Sequence, residues 1–259
     1  MANPPFNQKD WRAENELKDD PRWRGYDVPP KSNANYAWIL NMVSKLSENG
    51  VAGFILANGA LSGGGEEYKI RRTLIENNLV ETIMVLPQDM FYTTNISVTI
   101  WILNRNKKEQ IRNIGDETRH YRNREKEILF MDLRQIGEPF EKKFIQFSSK
   151  QIKGIAKTYH DWQKIANQGK NLQGFENLEG LAYKNIPEYC YSASFEEVAK
   201  KDFSLVPSKY IEFVNRDENI DFDEKMKALQ VEFADLLKAE AQSKNDLLTV
   251  FKELGYEIE

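Results

Sequence analysis

The sequence predicts an α/β fold, a largely parallel sheet with an antiparallel last strand, followed by a helical C-terminal region. Three observations predict it. Short apolar runs of strand length alternate with amphipathic stretches of helix length through residue 103, which is the order of a layered α/β sheet. Two of those runs, 80–86 and 96–103, are separated by only nine residues. That is too few for a helical crossover, so the pair must run antiparallel. Beyond residue 135 the pattern turns helical.

Taken in order, residues 7–34 are polar and proline-bearing, with Asp20-Pro21-Arg22-Trp23 and Pro29-Pro30, and read as a long ordered loop of the kind that carries function. Residues 35–49 read as a helix, because Tyr36, Ile39, Leu40, Val43 and Leu46 share a face and Gly50 supplies a stop. Residues 51–57 form a short apolar run suited to a buried strand. Ser62-Gly63-Gly64-Gly65 lacks a following Lys-Ser/Thr, so it reads as a flexible loop rather than a phosphate cradle. Residues 66–78 predict a second helix, with Tyr68, Ile70, Leu74 and Ile75 apolar. Further strands are expected at 80–86, closed by Pro87, and at 96–103, rich in β-branched residues.

Residues 105–126 carry eight bases against four acids. Two readings stand open: a loop that contacts phosphate, or a solvated connection between strands. Residues 128–132 read as the last strand. A helix is expected over 149–168, with Ile152, Ile155, Tyr159, Trp162 and Ile165 on one face, and a short one over 195–200. From Asp221 a long helix carries Phe222, Met226, Leu229, Phe233 and Leu236 at alternating spacings of four and three. The seam breaks at Glu240 and Ser243 and resumes at Leu247, Val250 and Leu254. A broken heptad seam predicts a helical hairpin or a helix laid on a partner. From Asp217 onward twelve acids face five bases, so this end suits protein rather than DNA.

Composition narrows the function classes. At 259 residues, 41% hydrophobic and 12% aromatic, the chain can bury a core of one or two domains. No apolar stretch approaches membrane length and no secretory signal is recognisable, so the expected compartment is the cytoplasm. The single Cys190 excludes a disulfide framework, and two histidines, His120 and His160, argue against histidine triads and zinc sites.

The chemistry sits at the start of the chain, in Asn3-Pro4-Pro5-Phe6. The prolines fix φ and remove backbone donors, which frees nearby carbonyls to accept. Asn3 can accept through its side chain and Pro4 through its main chain, while Phe6 offers a face for stacking. Two acceptors on an exocyclic amine draw its nitrogen towards tetrahedral geometry and expose the lone pair. An adenine held this way must leave the duplex. As a bare tetrapeptide the run could equally be a turn, and no strand is expected ahead of it.

The wider pattern resembles the C-terminal half of the modification subunit of type I restriction–modification systems, an adenine-N6 DNA methyltransferase family. The residues that carry the resemblance include Ala2-Asn3-Pro4-Pro5-Phe6-Asn7, Asp20-Pro21-Arg22-Trp23, Ala34-Asn35-Tyr36-Ala37-Trp38 and Gly50 through Leu61. They continue with Leu86-Pro87, Met90-Phe91-Tyr92-Thr93-Thr94-Asn95, Phe130-Met131-Asp132, the segment from Tyr159 to Trp162, and Leu254-Gly255-Tyr256-Glu257-Ile258. The resemblance implies a partial S-adenosylmethionine-dependent, Rossmann-like sheet over 1–148 and a helical region for subunit association over 149–259. It implies catalysis by Asn3, Pro4, Pro5 and Phe6, with Phe91 first and Tyr92 second as the aromatic that holds the flipped base. Trp11 and Trp23 are further candidates to cover that base. The implied methyl donor is S-adenosyl-L-methionine, with most of its site upstream of this chain, and no metal is expected. The family's cofactor-binding strand and glycine motif precede the catalytic motif and have no counterpart here, which suggests a fragment, a split gene or a remnant. Implied partners are double-stranded DNA, a DNA-specificity subunit, a second modification subunit and a restriction nuclease subunit. The runner-up reading is a non-catalytic remnant that serves only as an assembly module.

Overall fold

The computed structural model describes residues 1–92, 95–141, 143–164, 183–214 and 221–256. These fall into two compact units, Met1–Phe213 and Val214–Glu259. The first is built on a five-stranded sheet. Its strands are β1 (Val51–Ala57), β2 (Val80–Val85), β3 (Val98–Asn104), β6 (Glu127–Asp132) and β9 (Cys190–Ser194), in the order β1-β3-β2-β6-β9. β3 runs antiparallel to both neighbours and β2 is parallel to β6. β1, β2 and β6 therefore all point their C-terminal ends at one edge of the sheet.

The alternation of side chains divides the core into two layers. Val80, Ile83 and Val85 of β2 and Ile128 and Phe130 of β6 join one cluster, with Phe54, Trp101 and Tyr36. Met84, Leu129 and Met131 join the other, with Leu86, Val98 and Trp162. Helices α1 (Asn35–Val43) and α2 (Gly65–Glu76) contribute Ile39, Leu40, Ile70 and Leu74 to the first layer. Helix α3 (Ser149–Gln163) brings Trp162 to the second. A full capping box opens α3 at Ser148 and Gln151, and another opens α4 (Phe195–Lys200) at Ser194 and Glu197.

Several expectations need correction. Helix α1 ends at Val43, not Asn49, because Ser44 turns its hydroxyl onto the Asn41 carbonyl and the following Lys-Leu-Ser-Glu-Asn run closes tighter turns. β6, expected as the last strand, is followed by β9, which pairs with it antiparallel, and only the β2–β6 pairing in the sheet is parallel. The charged stretch 105–126 is no plain loop: it contains the hairpin β4 (Gln110–Ile114) and β5 (Glu117–Tyr121). A second hairpin, β7 (Glu138–Phe140) and β8 (Phe144–Gln146), interrupts the region expected to be helical. α3 is helical to Gln163, and the expected continuation through Ile165 to 168 lies outside the described residues.

In the second unit, α5 (Phe222–Glu253) is one continuous helix of 32 residues, not a hairpin. Asp221 caps it by accepting from the Asp223 and Glu224 amides. Its Phe222, Leu229, Phe233, Leu236, Leu247 and Val250 are all exposed.

Candidate active site

Contrary to the sequence expectation, Asn3 does come after a strand-like segment. Ala2 bridges Phe54 of β1 in parallel, its amide donating to the Gly53 carbonyl at 3.0 Å and its carbonyl accepting from Ile55 at 3.3 Å. A single bridge is the shortest form of strand pairing, and a stretch of two residues carries no periodicity by which to read it. Because the pairing is parallel, Asn3 leaves the sheet on the edge where β1, β2 and β6 end.

There Asn3 and Pro5 are exposed and Pro4 is half-buried. Among the described residues neither the Asn3 carboxamide nor the Pro4 carbonyl is spent on an internal hydrogen bond. Two acceptors are thus presented together. Phe6 turns inward and packs against both core layers. Asn7, in the left-handed region at φ 51°, then clasps the start of α1. Its amide donates to Asn35 Oδ1 at 3.0 Å, and its Oδ1 accepts from Asn35 Nδ2 at 2.9 Å. This pair locks the exit of the Asn3–Phe6 turn to a buried residue 28 positions on.

The loop between β2 and β3 returns to the same edge. Phe91, half-buried, packs on the layer formed by Met84, Leu86 and Val98, which Phe6 also touches. Tyr92 turns away instead: it is 69% exposed and meets Phe144 of β8 edge-on, ring centroids 4.7 Å apart. Phe6 and Phe91 are therefore brought to one apolar cluster, and Tyr92 is not.

Trp11 and Trp23, the further candidates to cover a base, pack against each other in the loop that follows the turn. Trp23 is 3% exposed, its indole donates to the Leu17 carbonyl at 2.6 Å, and Trp11 meets it edge-on while donating to Pro30. Asp20 braces this loop. It accepts from the Arg22 amide and guanidinium, which hold its carboxyl down at about 2.

The basic stretch 105–126 sits at the wrong place for this site. β3 runs from Val98, opposite Ala57, to Asn104, opposite Val51, so the chain beyond Asn104 emerges at the opposite edge. Three of its bases are committed within the fold, two of them buried. Lys107 donates to the Val80 and Glu127 carbonyls, Arg124 pairs with Glu81 at 3.1 Å with both buried, and Arg122 chelates Glu127. Glu81 also accepts from Asn104 and Tyr159. An acid inside a strand-like run was the available signal for this network, since a buried carboxylate needs partners.

Sequence reasoning also missed a polar cavity of about 430 Å³ at the strand ends, lined by Asn58, Gln88, Asp89, Ser97 and Arg134. Arg134 is already neutralised by Asp132, so Asp89 leaves the lining on balance acidic. Asn58 Oδ1 is buried there without a hydrogen-bond partner.

In the glycine loop before α2 the Glu67 carboxylate lies against Gly63, while Gly64 and Gly65 face open space. Burial raises the Glu67 pKa. No cluster of three or more metal-ligating side chains occurs among the described residues, and no helix there is long and apolar enough to cross a membrane.

Known proteins bear on this geometry. The chain is 38% identical over 263 residues to the type I restriction enzyme HindI methylase subunit of Haemophilus influenzae, covering 99% of this chain and 51% of that relative. It is 30% identical over 261 residues to the MjaIX methylase subunit of Methanocaldococcus jannaschii, covering 99% of this chain and 42% of that one. The chain thus spans about half the length of these relatives or less. Its structure is similar to that of the type I restriction-modification methyltransferase subunit from Streptococcus thermophilus, with a TM-score of 0.63 at 25% identity, over 82% of this chain and 37% of that one. Residues 1–219 match the family described as N-6 DNA Methylase, and the chain belongs to that family.

Proposed function

We propose that this chain is the acceptor-side half of a site-specific DNA adenine-N6 methyltransferase. One observation carries the reading: two uncommitted acceptors, on Asn3 and Pro4, leave the sheet at the edge where Phe6 and Phe91 share a cluster. In this reading Asn3 Oδ1 and the Pro4 carbonyl take the two hydrogens of a flipped adenine's amine. Pro5 fixes the turn, and Phe6 and Phe91 give the base its apolar contact. S-adenosyl-L-methionine, when bound, would supply the methyl group to the amine nitrogen, the S–CH3 bond breaking as the thioether leaves and one amine proton passing to solvent. Tyr92 is the weaker candidate, because its ring turns to the β7–β8 hairpin.

S-adenosyl-L-methionine is the donor of this reading, and most of its site is supplied by polypeptide outside these 259 residues. Residues 1–148 act as the C-terminal half of the catalytic domain, a partial Rossmann-like methyltransferase sheet, and 149–259 as the association region. The partners are double-stranded DNA, a DNA-specificity subunit, a second modification subunit and a restriction nuclease subunit, all in the cytoplasm. The test is reconstitution. The chain is combined with the N-terminal half of a relative such as the HindI subunit, and DNA nucleosides are read by mass spectrometry. N6-methyladenine that disappears with Asn3→Ala supports the assignment, and equal methylation by that variant sinks it.

The exposed apolar row of α5 favours a second reading, an assembly module without catalysis. It predicts that specificity-subunit binding survives Asn3→Ala and is lost on deleting 222–253, with no methylation under any pairing.

A further inference from the structure

The β7–β8 hairpin has no part in holding the adenine amine, yet it is fastened to the loop that carries Phe91. The Ile145 amide donates to the Asp89 carbonyl at 3.0 Å, and Phe144 meets Tyr92 with ring centroids 4.7 Å apart. The hairpin forms its own two-stranded sheet, and such a unit is marginal in water unless it is held. These contacts hold it at the sheet edge where Asn3 emerges.

Its surface is aromatic. Phe140 pairs with Phe144 across the turn, Phe140 is 36% exposed and Tyr92 is 69% exposed. Lys143 Nζ lies 5.2 Å over the Phe144 ring. Single exposed aromatics are ordinary, but Tyr92 and Phe140, joined through the half-buried Phe144, make a patch on two neighbouring segments. Glu138 and Glu141 offset Lys142 and Lys143, so the hairpin has no net charge with which to attract phosphate.

A base that flips out leaves two base pairs facing an empty step, and the exposed π-faces of such a step are what an aromatic platform fits. We propose that the Tyr92–Phe140–Phe144 platform contacts duplex DNA at the gap left by the flipped adenine. The inference rests on the base-flipping reading, and deepens it by assigning the duplex side of the site to the hairpin.

The full chain is titrated with two matched duplexes, one intact and one with an abasic position that mimics the gap. The expected result is tighter binding to the abasic duplex. Phe140→Ala should cut that preference about tenfold, Phe140→Trp should retain it, and the loss should persist as salt rises, unlike the loss of a phosphate contact. A photocrosslinking side chain at position 140 should label nucleotides next to the abasic position. Preference unchanged in Phe140→Ala, or crosslinks confined to distant nucleotides, overturns the hairpin assignment and leaves the Asn3 reading standing. Equal binding to both duplexes by the parent chain overturns the hairpin assignment too. If Phe140→Ala does not fold, Phe140→Leu, which keeps bulk but removes the ring, carries the comparison.

Discussion

At the scale of single residues, the site is a matter of which polar groups are already occupied. Asn7 is fully engaged by Asn35, whereas Asn3, four positions earlier, keeps its acceptor uncommitted among the described residues. Pattern alone singled out Asn3, Pro4 and Phe6, because proline fixes the turn wherever it occurs. Pattern could not say that Phe91 and Tyr92 part company, since that depends on a hairpin more than fifty residues away. The reconstituted enzyme should reflect the difference. Phe91→Ala is expected to weaken the hold on the flipped base about tenfold, as a lost stacking face does, read by 2-aminopurine fluorescence at the target position. Tyr92→Ala should lower that signal by less, through the platform rather than through the base itself. A larger fluorescence loss for Tyr92→Ala than for Phe91→Ala would reverse the assignment.

At the scale of elements, apolar periodicity made β1, β2, β3 and β6, and the existence of both early helices, legible. It failed where polar side chains decide. β4 and β5 are charged strands outside the main sheet, and β9 (Cys-Tyr-Ser-Ala-Ser) is too short and mixed to announce itself. The Glu81 network ties β2 to α3 and to the segment before β6. Glu81→Ala would leave Arg124 buried and unpaired, at a cost of about 3–5 kcal/mol, seen as a large drop in denaturant midpoint. A loss below about 1 kcal/mol would mean the pair is hydrated in solution.

Lys107 supplies a pH signature within the same network. Burial pushes its pKa down to about 7 from 10.5, against the raising pull of Glu81. Between those values the unfolded chain holds the proton more than the folded one, so stability rises with pH across that window. For this one group the slope is at most about 1.4 kcal/mol per pH unit. Lys107→Met should flatten the slope between pH 7 and about 9. An unchanged slope would show that Lys107 titrates normally.

At the scale of the whole molecule, the sheet of the first unit has one edge scarcely covered among the described residues. Among the described residues the outer side of β1 carries only the Ala2 bridge, and a bare edge recruits other strands. The chain alone is expected to self-associate on concentration, and a relative's N-terminal half should suppress this, as light scattering can detect. Scattering unaffected by that half would mean the edge is not where the halves join. A chain ending at Phe213 should keep a cooperative melt, because the first unit is compact by itself, while losing specificity-subunit binding. A non-cooperative melt would show that the first unit needs the second.

Whether this chain holds the amine of a flipped adenine is read most directly from the methylation rate of Asn3→Ala in the reconstituted enzyme, measured beside DNA affinity. A rate lower by about 10²–10³-fold, the usual effect of removing a group that acts on developing charge, with affinity unchanged, is the predicted result. A rate equal to the parent's would contradict it and leave the Asn3–Phe6 turn a piece of architecture.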